Sequence, residues 1–440
     1  MNANTITWKQ LISFFLPLGL SATLVTLSHV IINSTLARAD QPELVIASYA
    51  IPLSLLGLTE KPVVLLRQAC SALVRDRVSF RAMGVVSSYV FACIILLGLL
   101  LCYTPLGKWV FVYFFGVEAD LLASTLSVYR ILMYVSIFSG LRCLFHGIII
   151  FNMRTKWLTI GMGVRIVAMY LLSLYFITTD NVSDGRVGAI IFLVGMIIEA
   201  AVAIWEGTSL IRRVIPEKAP NHPIETKGQI FSFYKPLLYS SVIAVIIGPS
   251  INAMLGKTTH THLAISSFAI AGSLTQLVMS FFSYIHQIVL NFYRKDAGQV
   301  RRFILVLSFI PGTLIAILAY TPLGPWFMTH VMGVNADLKQ ASLEALRIFM
   351  IMTIVFPWLD YMNGIIMLRG QTKIMVFSQS ANATTTVLSL IVAIATVPGW
   401  NGMIGAFAQS VGMLAELLVV TYVLKRTNDV QQPRQTQVNT

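Results

Sequence analysis

Long apolar runs fill the chain from end to end, separated by short clusters of charge or of Gly, Pro and Asn. Read between those clusters, the runs lie near 10–35, 44–73, 83–103, 121–152, 156–178, 187–211, 229–255, 262–292, 303–320, 338–368, 373–396 and 402–424. Each approaches or exceeds the roughly 20 mostly apolar residues that an α-helix needs to cross a bilayer. The pattern predicts an all-α polytopic membrane protein of twelve transmembrane helices with short connections and no room for a soluble domain.

Composition agrees: 56% of the 440 residues are hydrophobic and only 11% are charged, against about 25% charged in a soluble domain. The formal charge of +13 becomes informative once its placement is read. Alternate connections carry Arg75, Arg77 and Arg81, then Arg154 and Lys156, then Arg212, Arg213, Lys218 and Lys227. The series continues with Arg294, Lys295, Arg301 and Arg302, then Arg369 and Lys373, then Lys425 and Arg426. The other connections hold only Arg38, Lys108, Arg186, Lys257 and Lys339, mixed with Asp40, Glu118, Asp120, Asp180, Asp184 and Asp337. By the positive-inside rule the basic set faces the cytoplasm, and so do both termini. Topology and anionic headgroups thus account for the charge, and no nucleic-acid partner is expected. The first span has no small-residue cleavage site and is expected to stay uncleaved. Cys70, Cys93, Cys102 and Cys143 fall in apolar runs without metal spacing and read as packing residues.

The halves repeat. YTPLG from Tyr103 recurs from Tyr320, GVEADL from Gly116 as GVNADL from Gly333, and GIII from Gly147 as GIIM from Gly364, all at an offset of 217. Arg130 matches Arg347 at the same offset. Nearer each half's start, SFFLPL from Ser13 matches SFYKPL from Ser232, and INSTLAR from Ile32 matches INAMLGK from Ile251, at an offset of 219. Six spans per half is an even number, so the repeats are parallel, and transporters built this way place substrate between the halves. The expected organisation is a six-helix bundle over 1–211, a Pro-containing cytoplasmic linker over 212–228, a second bundle over 229–425 and a polar tail over 426–440.

Two six-helix halves, Pro17 and Pro236 in the first span of each, and the joining linker resemble the multidrug/oligosaccharidyl-lipid/polysaccharide (MOP) exporter superfamily, which includes the MATE transporters. IPLSLLGLTEKPVVLLRQACSALVRDR from Ile51 and FFLPLGLSATLVTLSHVIINSTLAR from Phe14 are similar in kind to its ankylosis-protein branch. The resemblance implies V-shaped bundles around a central cleft that opens alternately to either side. Drug-exporting members often carry an acid in the first or seventh span, and none stands between Pro17 and Asn33 or between Pro236 and Asn252. Ordinary cation-driven drug efflux is therefore not expected, and twelve spans instead of fourteen set the chain apart from the lipid II flippases.

An ionisable side chain at bilayer depth marks a pathway or a buried pair. Span two is richest, with Glu60, Lys61, Arg67 and Gln68; Glu60 and Arg67 stand seven apart, as do Lys61 and Gln68, and each pair is expected to share a helix face. Their repeat images are Met279, Ser280, His286 and Gln287. His29 and Asn33 are neighbours on span one, and Arg142 and His146 on span four. Asp360 lies one residue from the image of Arg142; the two could pair, which is the favoured reading, or each could serve its own bundle. Arg165, Glu199 and Glu416 are expected to find partners inside their bundles. The substrate- or ion-binding candidates are Glu60, Lys61, Arg67, Gln68, His29, Asn33, His286 and Gln287, followed by Arg142, His146 and Asp360.

No HExxH, GxSxG or Walker loop is present, and no enzyme is expected. The reading that emerges is a monomeric inner-membrane secondary transporter, without cofactor or metal, exporting an amphipathic or anionic organic compound under a proton or cation gradient. A flippase for a lipid-linked glycan or phospholipid is the second reading, and a non-transporting membrane enzyme or assembly factor the third.

Overall fold

The computed structural model describes residues 6–115, 117, 119–220, 222–255, 258, 260–330 and 336–431. Gly116 and Glu118 of the first GVEADL segment, Gly333 to Asn335 of its repeat, Lys257 and tail residues 432–440 lie outside them. The described chain forms α1 (Trp8–Leu36), α2 (Pro42–Thr59), α3 (Lys61–Leu73), α4 (Arg77–Tyr103), α5 (Pro105–Trp109), α6 (Ala119–Phe151), α7 (Lys156–Thr178) and α8 (Arg186–Arg213). It continues with α9 (Lys227–Leu255), α10 (Thr261–Phe282), α11 (Ile285–Phe292), α12 (Ala297–Tyr320), α13 (Leu323–His330), α14 (Ala336–Leu368), α15 (Lys373–Thr396) and α16 (Gly402–Gln431). Eleven helices are long and apolar enough to cross a membrane, and twelve spans result when the bent pair α2–α3 counts as one. This is the all-α, multi-pass architecture that the apolar pattern predicts.

Two starts differ from the prediction. Helices α4 and α12 each begin six residues early, at Arg77 and Ala297, because capped polar turns carry them past the apolar run. Asp76 accepts from Ser79 N at 2.7 Å and from its hydroxyl at 2.6 Å, while Asp296 accepts from Gln299 N at 2.9 Å. Such caps satisfy helix N–H groups that have no intrahelical partner. Asp76 Oδ2 also accepts from Ala219 N at 2.9 Å, and Arg77 donates to Ile211 and Arg212 carbonyls. These bonds lay the segment after α8 against the helices it follows. One cysteine also departs from expectation: Cys93 is exposed on α4, whereas the other three are buried.

Span two is broken at Glu60, with a 41° bend between α2 and α3. Pro62, at the second position of α3, has no N–H to offer the preceding turn, and its ring crowds that turn's carbonyl. Glu60 stands at the break, ending α2 and opening α3, where its carbonyl accepts from Val63 N at 3.1 Å and Val64 N at 3.2 Å, and Arg67 follows on α3. Lys61 and Gln68 remain on one helix.

The chain divides into two compact units, one from Ser13 to Leu238 and the other from Tyr239 onward together with residues 6–12, so the division falls within α1 and α9. In the first, α6 packs on α2, α3, α4 and α8, and α7 on α8; in the second, α14 packs on α10, α11, α12 and α16, and α15 on α16. The internal repeat extends to single contacts. A Cβ at Gly147 would lie 2.6 Å from Cys70 Cβ, and one at Gly364 2.7 Å from Val289 Cβ, which is the image of Cys70. Gly185 abuts Ser48 and Tyr49 as Gly402 abuts Ser267 and Phe268. Arg130 lies 5.3 Å over the Tyr103 ring and Arg347 5.3 Å over that of Tyr320. Within the two YTPLG segments, Thr104 and Thr321 donate to Leu100 and Ile317 carbonyls at 2.6 and 2.7 Å.

Candidate functional site

Glu199 on α8 and Glu416 on α16 are buried at equivalent positions, 217 residues apart. Their surroundings differ in charge. In the first unit Arg165 Nη1 donates to Glu199 Oε2 at 2.7 Å, and Arg142 Nη1 donates to Oε2 at 3.0 Å and Oε1 at 3.2 Å. Arg142 also donates to Ser139 Oγ at 3.3 Å, and the Arg165 guanidinium stands 5.1 Å over the Phe192 ring. All three charged groups are buried, and an ion survives burial only when paired and hydrogen-bonded.

In the second unit the positions equivalent to Arg165 and Arg142 hold Asn382 and Leu359. The carboxylate was kept and both arginines were not. Glu416, 1% exposed, accepts from Gln379 Nε2 at 2.6 Å and Asn382 Nδ2 at 2.7 Å, and forms no ion pair among the described residues. Gly412 allows this approach of α16 to α15, since a Cβ there would lie 2.5 Å from Asn382 Oδ1 and 3.0 Å from its carbonyl oxygen.

The same groups border a cavity of about 410 Å³ within this unit, lined by Asp360, Asn363, Gln379, Asn382, Gln409 and Glu416 against apolar residues of α9 and α14. Asn363 Oδ1 and Gln379 Oε1 are buried there without a hydrogen-bond donor. A carboxylate and two undonated amide oxygens around one space suit a proton or a hard cation, which takes oxygen ligands. They do not suit an anion.

Asp360 is already engaged. Its Oδ2 accepts from His286 N at 2.9 Å, and His286 Nδ1 lies 3.1 Å from both carboxyl oxygens, so Asp360 caps the start of α11 where span eight breaks. Of the two alternatives for Arg142 and Asp360, the hydrogen bonds fit the one in which each serves its own bundle: Arg142 donates to Glu199, and Asp360 accepts from His286, each within its own unit. Arg165, Glu199 and Glu416 do find partners inside their units.

The remaining sequence candidates are scattered. Glu60 is half-buried at the break in span two and Lys61 is exposed beside it; neither side chain makes an ion pair or hydrogen bond among the described residues. Arg67 and Gln68 are half-buried on α3, and His146 and Gln287 are buried. His29 is half-buried, its ring 5.3 Å from that of Phe192, while Asn33 is exposed. The sequence reading took amides only beside ionisable residues of spans one, two and eight, and so missed those of the pocket on α14, α15 and α16. A signal existed: Gln379 and Asn382 stand three apart on α15, whose hydropathy is lowest among the spans, and Gln409 and Glu416 stand seven apart on α16.

No protein-family model matches the chain, and no curated protein does. Solved structures do match. A MOP superfamily transporter from Pyrococcus furiosus, for which a reversed polarity of the binding pocket is described, aligns with a TM-score of 0.76 at 14% identity over 97% of each chain. A multidrug resistance MATE family transporter in an outward-facing conformation aligns with a TM-score of 0.75 at 13% identity, again over 97% of each chain. A MATE protein in complex with MaL6 gives 0.72 at 14% over the same shares. This multi-pass membrane chain has the fold of the MATE transporters of the MOP superfamily.

Proposed function

We propose that the protein is a secondary transporter that exports an amphipathic or anionic organic compound by alternating access, with Glu416 as the group through which a proton or alkali cation couples. The observation that carries this is the contrast between the duplicated glutamates. Glu199 is neutralised by two arginines, whereas Glu416 keeps the equivalent place with amides alone and faces a cavity with undonated oxygens. A buried carboxylate without a cation is costly, and a mobile cation relieves that cost whenever it binds. The acid absent from spans one and seven is thus supplied from span twelve, with Asp360 nearby on span ten. Glu60, half-buried at the break in span two, is a second acid that would exchange a proton in this reading.

Glu416→Gln tests the reading. The variant is expected to fold as wild type and to lose gradient-driven transport in proteoliposomes. Undiminished gradient-driven transport removes Glu416 from the mechanism. A flippase for a lipid-linked glycan or phospholipid is the second reading, favoured by the excess positive charge inside the first unit, where Arg142 and Arg165 share one carboxylate. Gradient-independent movement of a fluorescent phospholipid by the purified protein would favour it.

A further inference from the structure

A second cavity of about 450 Å³ lies within the second unit where α12 begins and α14 and α16 end. Its rim carries Arg301 on α12, Arg369 one residue past α14 and Lys425 on α16, and no acidic residue lines it. Its wall is aromatic: Trp358 meets Tyr361 with ring centroids 6.1 Å apart, and Tyr361 meets Tyr293 at 6.2 Å. Trp358, Tyr361, Met362 and Ile365 lie on one face of α14 at helical spacing, and Arg369 follows its last residue in the same turn, its N–H donating to the Ile365 carbonyl at 3.0 Å. At 1.5 Å per residue that stripe runs ~16 Å from an aromatic end to a cationic end.

The repeat supplies a comparison. In the first unit the images of Trp358, Met362 and Arg369 are Leu141, Phe145 and Asn152. There the Phe145 ring lies 6.1 Å from Phe80 and packs against Gly207, where a Cβ would come 2.5 Å from it. The equivalent groove is filled with side chains, and its cationic rim position is neutral. At these positions the two units differ in both filling and charge.

We propose that this groove binds an anionic phospholipid, its headgroup phosphate between Arg301, Arg369 and Lys425 and one acyl chain along the α14 stripe. Cationic clusters between transmembrane helices on the basic side recognise such headgroups, and guanidinium groups pair with phosphate through two N–H donors. The apolar length below the rim distinguishes a lipid from a free phosphate, which would leave the aromatic wall empty. The connections that supply these cations are those assigned to the cytoplasm, where anionic lipid faces them. This site is separate from the Glu416 pocket and does not depend on what the protein transports.

The test uses delipidated full-length protein in neutral detergent, titrated with dioleoylphosphatidylglycerol, dioleoylphosphatidylcholine or glycerol phosphate, with bound molecules counted by native mass spectrometry. One phosphatidylglycerol is expected to bind at least about tenfold more tightly than phosphatidylcholine, after allowing for screening of three cations, and glycerol phosphate is expected not to displace it. Replacing Arg301→Gln, Arg369→Gln and Lys425→Gln together should abolish the preference. A control carrying Arg81→Gln, Arg212→Gln and Arg213→Gln removes the same charge and should retain it. The proposal is overturned if the first variant keeps the preference, if the control loses it equally, or if glycerol phosphate displaces the lipid. A measurement on unaltered side chains of the rim is independent of those variants' folding. Brominated phosphatidylglycerol should quench tryptophan fluorescence more than brominated phosphatidylcholine, and Trp358→Phe should remove the difference; equal quenching by both lipids in the unsubstituted protein rejects the site.

Discussion

The two glutamates show how one residue type takes opposite roles from its neighbours. Removing Glu199 leaves two buried arginines without their shared anion, so Glu199→Gln should cost about 3–5 kcal/mol of stability and reduce the yield of folded protein. Glu416→Gln removes a buried charge that has no cation and exchanges it for an amide, so its thermal unfolding midpoint should match or exceed wild type. Equal destabilisation by both would show that the two sites are alike. Asp76 behaves differently again. Burial pushes its carboxyl pKa up, but hydrogen bonds from Ala219 N–H and from the Ser79 hydroxyl and N–H outweigh that and hold it below the ordinary range. Its stabilisation is therefore present above about pH 4 and lost as pH falls through the folded value. Asp76→Ala should lower the unfolding midpoint at pH 7 by the equivalent of ~1–2 kcal/mol, and the gap from wild type should close below about pH 4. At this scale the sequence shows which residues are ionisable but not which partner each takes. Arg142 and Asp360 nearly coincide in the repeat, and spacing alone leaves open whether they pair or each serves its own bundle, because partner choice depends on helix faces.

Among the elements, apolar spans are legible because a membrane helix must present a long apolar run. Their ends are less so. Helices α4 and α12 start in polar turns stabilised by Asp76 and Asp296, where hydropathy carries no signal. The break in span two was in the sequence as Lys61-Pro62, but the apolar run passes smoothly over it. Restoring the N–H with Pro62→Ala should straighten the 41° bend, and an α2–α3 end-to-end distance measured between spin labels at Leu44 and Ala72 should lengthen by ~3 Å given the two helix lengths. An unchanged distance would mean that packing around Glu60, not the proline, sets the bend. The ends of α6 and α14 offer a second check. Both turn through a left-handed residue, Met153 at φ 61° and Gly370 at φ 69°, and the same bonds close each turn, Arg154 N to Ile149 O and Gln371 N to Ile366 O, both 3.0 Å. Glycine accepts that conformation without penalty, whereas a side chain is strained by ~1 kcal/mol. Met153→Gly should accordingly raise the unfolding midpoint, and Gly370→Met should lower it.

For the molecule as a whole, the duplication was the most legible feature, because matched motifs such as YTPLG fix the register of the first four spans of each half. The divergence of chemistry between the units was legible only in part. Arg301, Arg369 and Lys425 read as loop charge until the groove between their helices is seen, and Asn382 reads as an ordinary polar residue until Arg165 is seen to hold the equivalent place beside Glu199. The most direct measurement is flux in proteoliposomes holding a fluorescent amphipathic organic anion, with a proton gradient or a sodium gradient imposed in separate experiments. One of the two gradients should drive transport by the wild-type protein, and Glu416→Gln, with a thermal midpoint at or above that of wild type, should show only passive, gradient-independent movement. Transport that ignores both gradients, or a Glu416→Gln protein that responds to them as wild type does, contradicts coupling through the second unit's unpaired carboxylate.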